Sequence, residues 1–528
     1  MGLYVNPGNI GFKTIRAGKY VDKSDIIAVI NNSLGTPDKL TCVSRPRRFG
    51  KSFAAQMLSA YYDCSCDSSE LFDDLRISRS ADYSKYLNQF NVVYLDIASL
   101  KTATQDYTNL VSFISGQVAN ELKELCPLLN HETPLISALT KAAEILQKQC
   151  IMIIDEWDAP IRETPELAEG YLEFLRSLFK NSAMTNKAFA AVYMTGILPI
   201  KKTKGQSAVS DFQEYSILDP GPFASATGFI EDEVRTLCIQ NSLDFGEAQR
   251  WYDGYHVGKV ESVYNPYSLM MSLKRGCFQS YWRKTSEADV LQTYLDLNID
   301  GLQDDIVRLM AGDELDVDTS GFKNDPALIA DKNDALTLMT HLGYLTFKGH
   351  AADTGTVHIP NQEIQTEFEK MLHKASHPRL IELVQASDSL LHDTLALNEP
   401  AVASAIELVH DSNYAPNFYN NEQALHYTIK MAYITAVDQY ARVEELPTGH
   451  GLADIVFIPL PHSALPALVI ELKWNTNPNS AISQIRDNNY SLLPQDLCGE
   501  VLLVGVSYDT ITKKHSCVIE NANIPRRL

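Results

Sequence analysis

Arg45, Pro46, Arg47, Arg48, Phe49, Gly50, Lys51 and Ser52 stand between an apolar run, LTCVS, and a segment of helical character, FAAQMLSAYY. A strand, a loop and a helix opening at Gly-Lys-Ser form the setting that a phosphate-binding loop requires. The unsatisfied N–H groups and positive dipole end of the helix attract phosphate. Lys51 would reach the β- and γ-phosphates of a nucleotide, and the Ser52 hydroxyl would ligate Mg²⁺. The general pattern Gly-x4-Gly-Lys-Ser asks for glycine where Arg45 stands, so a basic loop with a chance GKS is the plain alternative. A second feature weighs against that alternative. The run IMIID at 151–155 is an apolar strand ending in Asp155 and followed by Glu156. Nucleotide hydrolysis needs one carboxylate for the Mg²⁺ shell and another to polarise the attacking water; Asp155 suits the first role and Glu156 the second. The run AFAAVYMT at 188–195 ends in Thr195, where a polar sensor of the γ-phosphate could sit, or simply a strand-terminal threonine.

A second constellation lies near the C-terminus. Asp454 falls in GHGLADIVF, and Glu471 and Lys473 interrupt the apolar run ALVIELKW. Residues two apart on a strand share a face, so Glu471 and Lys473 point the same way. If the two strands pair as a hairpin, Asp454 joins them. Two carboxylates can bind Mg²⁺ with water completing the shell. A lysine beside a bound water can orient or help deprotonate it for attack on a phosphodiester. The plain alternative is an edge strand with a solvated Glu and Lys. Other candidates carry less. Cys64 and Cys66 form a CxC with no second pair; His373 and His377 have helical spacing but lack the intervening glutamate of a zinc protease, and Pro378 follows at once.

Elements must hold these groups in place. In the first ~220 residues, apolar, partly β-branched runs at 40–44, 91–98, 150–155 and 188–195 alternate with helical periodicity at 108–125 and 166–179. That alternation predicts an α/β domain with a buried parallel sheet. Residues 221–384 read as mainly helical, punctuated by GPF, YDGY and NPYS. The last stretch opens with a helix over 421–437 and continues with strands over 453–460, 467–474 and 500–508. Across 528 residues the formal net charge is −21. That balance argues against non-specific coating of nucleic acid, without excluding a local basic groove. Nine scattered cysteines suit a reducing compartment. No run reaches the roughly 18 apolar residues of a membrane span, and the N-terminus lacks a signal-peptide core, so a soluble, cytoplasmic protein is expected.

The segments RPRRFGKS, IIDEWDAP and TGILPIKK, followed by GFIEDEV at 228–234, WYDGY at 251–255 and YNPYS at 264–268, resemble the AAA-ATPase-like family over roughly residues 8–280. That family carries Arg at the first position of the loop, so Arg45 fits it, and the resemblance implies an ASCE-type P-loop ATPase fold. WYDGY and YNPYS offer no derivable catalysis and read as aromatic packing and turns. The C-terminal pattern resembles the PD-(D/E)xK nuclease superfamily over roughly 385–528, in the nuclease-like domain that often follows such an ATPase. This resemblance assigns Asp454, Glu471 and Lys473 to the active site and Gln484 and Tyr490 to the helix that follows. It also makes Glu422 the upstream helical glutamate. The expectation is therefore three regions: an ATPase domain at 1–220, a helical region at 221–384 and a restriction-endonuclease-like α/β domain at 385–528. The expected activity is ATP hydrolysis coupled to metal-dependent binding or cleavage of nucleic acid, DNA in the first instance. The alternatives are an ATP-dependent switch or a signalling ATPase, in which the nuclease-like domain binds a partner without cutting. A homo-oligomer or a protein partner is compatible with each.

Overall fold

The computed structural model describes residues 2–129, 134–180, 182–200, 202–203, 206–207, 211–282, 286–323, 329–374, 378–412, 422–447, 452–460, 463–487 and 499–524. The chain divides into two compact units, Met1–Lys274 with Asp316–Val357, and Arg275–Leu315 with His358–Leu528. The region expected to be helical is thus shared between them. It also holds two small three-stranded sheets beside its helices, one built from Phe229–Ile230, Val260–Tyr264 and Tyr255–Val257. Their strands are too short and too mixed in polarity to stand out by periodicity.

The first unit is an α/β fold. Its sheet comprises β1 (Leu40–Ser44), β2 (Asn91–Asp96), β3 (Cys150–Asp155), β4 (Phe189–Gly196) and β5 (Gln213–Tyr215), in the order β2-β3-β4-β1-β5. Every neighbouring pair is parallel. The strands β1, β3 and β4 are buried along their whole length, which is why they read as unbroken apolar runs. Alternate residues serve opposite layers. Met152 and Ile154 pack with Leu110, Ile114 and Val118 of α2 (Leu110–Leu125) and with Leu139 of α3 (Leu135–Leu146). Ile151 and Ile153 face Ala55 and Leu58 of α1 (Lys51–Tyr62) on the other side. After β3 come α4 (Ala159–Glu163) and α5 (Ala168–Phe179). The edge strand β5 escapes a sequence reading because it is three residues long and polar.

The second unit contains α6 (Glu399–Ser412), α7 (Glu422–Ala432), β6 (Tyr440–Pro447), β7 (Leu452–Pro459), β8 (Ala467–Trp474), α8 (Pro478–Asp487), β9 (Gly499–Asp509) and β10 (Lys514–Ile524). The sheet runs in that strand order, antiparallel except for the parallel pair β8–β9, which α8 connects. Ile482 and Ile485 of α8 pack on Val469, Val501 and Leu503. Gly505, opposite Glu471, lets the helix approach: a Cβ there would lie 2.6 Å from the Pro478 carbonyl oxygen. The strands β6 and β10 were not among the expected elements, because YARVEELP and KHSCVIENANI carry too many polar residues.

Candidate functional site

The carboxyl ends of β1, β3 and β4 bring the first group of residues together, the edge at which open α/β sheets bind ligands. The loop 45–50 leaves β1 and enters α1 through Gly50, whose φ of +88° is a left-handed conformation that glycine adopts without penalty. Lys51 is only 5% exposed. Its ammonium donates to the carbonyl oxygens of Arg45 at 3.0 Å and Pro46 at 2.8 Å, so it lies along the inside of the loop. Burial pushes its pKa down to about 8, while Glu156, Asp158 and Asp155 pull upward. Asp155 is 1% exposed and bonded to the hydroxyls of Thr195 and Ser52. Burial raises its pKa and those two bonds oppose the rise. Because β4 lies between β1 and β3, Thr195 stands between the loop strand and the acidic strand. Its Oγ1 also accepts from the Glu156 N–H at 3.4 Å. Burial likewise raises the Glu156 carboxyl, opposed by Lys51 and Arg162. Thus Ser52, Lys51, Asp155, Glu156 and Thr195, chosen from sequence, meet in one place.

Arg45 and Phe49 do different work from the phosphate contact expected of the loop. The Arg45 guanidinium is buried and donates to the carbonyl oxygens of Ser44 (2.8 Å), Tyr215 (2.9 Å) and Phe223 (3.0 Å). Its side chain is spent on β5 and the turn after it, and burial lowers its pKa to about 10. The Phe49 ring packs edge-on against Tyr255 at 5.0 Å, in a cluster with Ile217, Val257 and Val263. The Phe49 carbonyl accepts from Gly228 N–H at 2.9 Å. Arg48, at φ +67°, lays its guanidinium over the Tyr267 ring at 4.1 Å; Arg47 is half-buried. The downstream motifs GFIEDEV, WYDGY and YNPYS therefore brace the loop from outside. Their aromatics pack and their Asn265 makes a turn, accepting from Tyr267 N–H at 3.0 Å.

Sequence reasoning missed Asp96, Asp158 and Arg162. Asp96 ends β2 in register with Asp155, and burial raises its carboxyl, with Glu156 adding to the rise. The signal was present: NVVYLD, like IMIID, is an apolar run ending in a carboxylate.

In the second unit, Glu471 is 1% exposed and its Oε1 accepts from Lys473 Nζ at 3.2 Å. Its Oε2 is buried without a hydrogen-bond partner among the described residues. Burial, then Asp454, push the Glu471 carboxyl up to about 7, while Lys473 opposes. Asp454 accepts from Leu472 N–H at 2.7 Å through Oδ2, and its Oδ1 lies 3.7 Å from His426 Nε2. The three expected groups do converge, and His426 joins them. The signal for His426 was its place one helical turn after Glu422, the first residue of α7; the Glu422 side chain and Tyr490 lie outside the described residues. Gln484 is half-buried on α8. A buried carboxylate oxygen with no donor, next to a second carboxylate, suits a divalent cation. No group of three or more His, Cys, Asp or Glu side chains that could hold a metal ion occurs among the described residues.

Residues 8–204 match the AAA-ATPase-like family, described as a predicted AAA-ATPase. The matched span holds the loop, the acidic strand and Thr195, and it ends before the second unit. An uncharacterized protein of Azotobacter chroococcum mcd 1, described by its place in the vnfD 5′ region, is 23% identical over 499 residues, 91% of each chain. A Walker-type ATPase of Pyrococcus abyssi is 13% identical, with a TM-score of 0.30 over 66% of this chain and 94% of that one. The ORC2 protein of Aeropyrum pernix, solved as ADPNP and ADP complexes, is 10% identical, with a TM-score of 0.32 over 70% and 96%. Among the described residues no helix is long and apolar enough to cross a membrane.

Proposed function

We propose that the first unit binds and hydrolyses ATP, and that this is coupled to metal-dependent binding or cleavage of nucleic acid, DNA in the first instance, by the second. The convergence of Lys51, Ser52, Asp155, Glu156 and Thr195 at one sheet edge supports the ATPase reading most directly. In that reading the loop N–H groups and Lys51 hold the phosphates, exchanging the carbonyls of Arg45 and Pro46 for phosphate oxygens. Ser52 and Asp155 would hold Mg²⁺, which supplies charge neutralisation for the phosphates. Glu156 orients the attacking water, and Thr195 senses the γ-phosphate from β4. Lys51→Ala should weaken nucleotide binding, whereas Glu156→Gln should keep binding and slow turnover. Equal ATP turnover by wild type and both variants would sink the assignment.

The unpartnered, buried Glu471 Oε2 beside Asp454 supports the nuclease reading. The two carboxylates would hold Mg²⁺ or Mn²⁺, which supplies Lewis acidity toward a phosphodiester. Lys473 would hold the attacking water or move its proton. The test is metal-dependent degradation of a nucleic-acid panel, with and without ATP, by wild type and Asp454→Ala. Cleavage untouched by that substitution refutes the site. The net charge of −21 favours a second reading, a signalling ATPase that recognises a protein partner without cutting. Salt-sensitive DNA binding without cleavage under any metal condition would select a non-cutting DNA switch; absence of DNA binding would leave a protein partner. Coupling requires nucleic acid to change nucleotide affinity by the same factor that nucleotide changes nucleic-acid affinity.

A further inference from the structure

The turn after β3 is fastened to the end of β4 by more than its backbone. Glu156 has φ +51°, a left-handed conformation uncommon outside glycine that persists only where the surrounding contacts hold it. Trp157 N–H donates to the Thr195 carbonyl at 2.9 Å. Asp158 is 1% exposed, and one oxygen, Oδ2, accepts from Ile197 N–H at 3.1 Å and Leu198 N–H at 2.9 Å. The same Oδ2 accepts from Arg162 Nε at 2.9 Å, four residues on in α4. The Arg162 side chain is 4% exposed, and its Nη2 lies 3.8 Å from Glu156 Oε2. At the end of β4, Gly196 leaves room for the turn: a Cβ there would come 2.6 Å from Trp157 Nε1 and 2.9 Å from Asp158 Oδ1.

A guanidinium presents several donors in a rigid plane, so one arginine can serve two carboxylates at fixed positions; a lysine ammonium is a point charge and holds them less well. A buried ion pair adds little to stability by itself, because desolvation offsets the attraction. Pairing with Asp158 uses Arg162 Nε and does not by itself require Nη2 to lie 3.8 Å from Glu156 Oε2. We propose that Arg162, oriented by Asp158, is a positioning residue that holds the Glu156 carboxylate in register with the Thr195 end of β4. The proposal rests on reading Glu156 as the group that orients the attacking water.

The test measures ATP turnover and Mg-ATP affinity separately, on full-length protein carrying Arg162→Gln, Arg162→Lys and Glu156→Gln, alone and combined. Arg162→Gln should lower kcat on the order of 10²-fold, the scale of a misplacement near 1 Å, with Kd changed by less than about 3-fold. Arg162→Lys should recover part of the loss, since it keeps the charge without the fork. On the Glu156→Gln background, Arg162→Gln should add nothing, because both changes disable one group. Arg162→Gln leaves Asp158 buried without its cation, so the pair Asp158→Asn with Arg162→Leu provides a second variant with no stranded charge. It should show the same loss of kcat at unchanged affinity. The proposal is overturned if kcat and affinity fall together in both constructions, or if Arg162→Gln lowers the Glu156→Gln rate by its full factor. A dead Glu156→Gln enzyme with a fully active Arg162→Gln enzyme overturns the role of Arg162 alone. A fully active Glu156→Gln enzyme removes the water-orienting reading, and the proposal with it.

Discussion

Replacing Glu471 by Gln should make the metal-free second unit more stable above neutral pH. The substitution keeps the shape and removes the charge. Burial and Asp454 push the Glu471 carboxyl up to about 7 from an ordinary 4.5. At roughly 1.4 kcal/mol per pH unit, that rise corresponds to about 3 kcal/mol. The direction follows from proton binding. The native state keeps its proton at pH values where the unfolded chain has released it. The contribution is therefore complete below about pH 4.5 and is lost as pH rises through about 7. Loss of the 3.2 Å bond from Lys473 returns part of the gain, so a net of about 1–3 kcal/mol is expected at pH 8, and close to none at pH 4.5. Hydrogen exchange on the amides of β8 and β9, in chelator and corrected for intrinsic rates, reads this locally. Mn²⁺ should protect the wild type at pH 8 by binding the carboxylates, and should protect Glu471→Gln far less. Identical pH dependence in the two proteins, or a wild type indifferent to Mn²⁺, would rule out a buried, metal-binding Glu471 carboxylate.

Gly228→Ala forces a Cβ to within 2.3 Å of Val263 Cγ1 at φ +77°, so the Phe49 carbonyl loses its anchor; nucleotide affinity should fall by on the order of 10-fold, and calorimetry showing wild-type affinity would disprove the bracing role. His515 is buried against His410, Nε2 to Nδ1 at 3.1 Å, and burial followed by His410 push its pKa down to about 3 from 6.5. The stability it contributes is whole above about pH 6.5 and declines as pH falls toward 3, so His515→Gln should flatten the fall in the second unit's melting temperature between pH 6.5 and 4.5; an unchanged slope would assign that fall to other groups. Lys473→Ala should spare Mn²⁺ protection of β8 while lowering any cleavage rate by about 10²–10⁴-fold, and cleavage at the wild-type rate would exclude its part in proton transfer.

The sequence was most legible where chemistry and burial coincide. The runs LTCVS, IMIID and AFAAVYMT are unbroken because both faces of β1, β3 and β4 are covered by helices. Glu471 and Lys473 stood out because they interrupt an equally apolar strand. What escaped was held by tertiary contact. Arg45 looked like a phosphate ligand because nothing in a sequence shows that its guanidinium has three carbonyl oxygens to satisfy. Asp158 and Arg162 passed unnoticed because an acid and an arginine four apart are ordinary on a solvated helix, and only burial makes the pair unusual. The strands β5, β6 and β10 carry polar side chains on a partly open face, so their periodicity does not separate them from loops.

The bracing of loop 45–50 has a consequence for how the protein is made. Arg45 and Phe49 leave the ribosome well before Tyr215, Phe223, Gly228, Tyr255 and Tyr267, the residues on which the loop leans. Until those residues emerge, a guanidinium destined for burial stays in water and an aromatic ring lacks its pocket. The nascent chain therefore passes through a stage in which β1 to β4 could pair, still without the edge strand β5, while the loop beside them has no support. A product truncated at residue 204, where the family match ends, would be arrested at that stage, with the motif complete and its buttress missing.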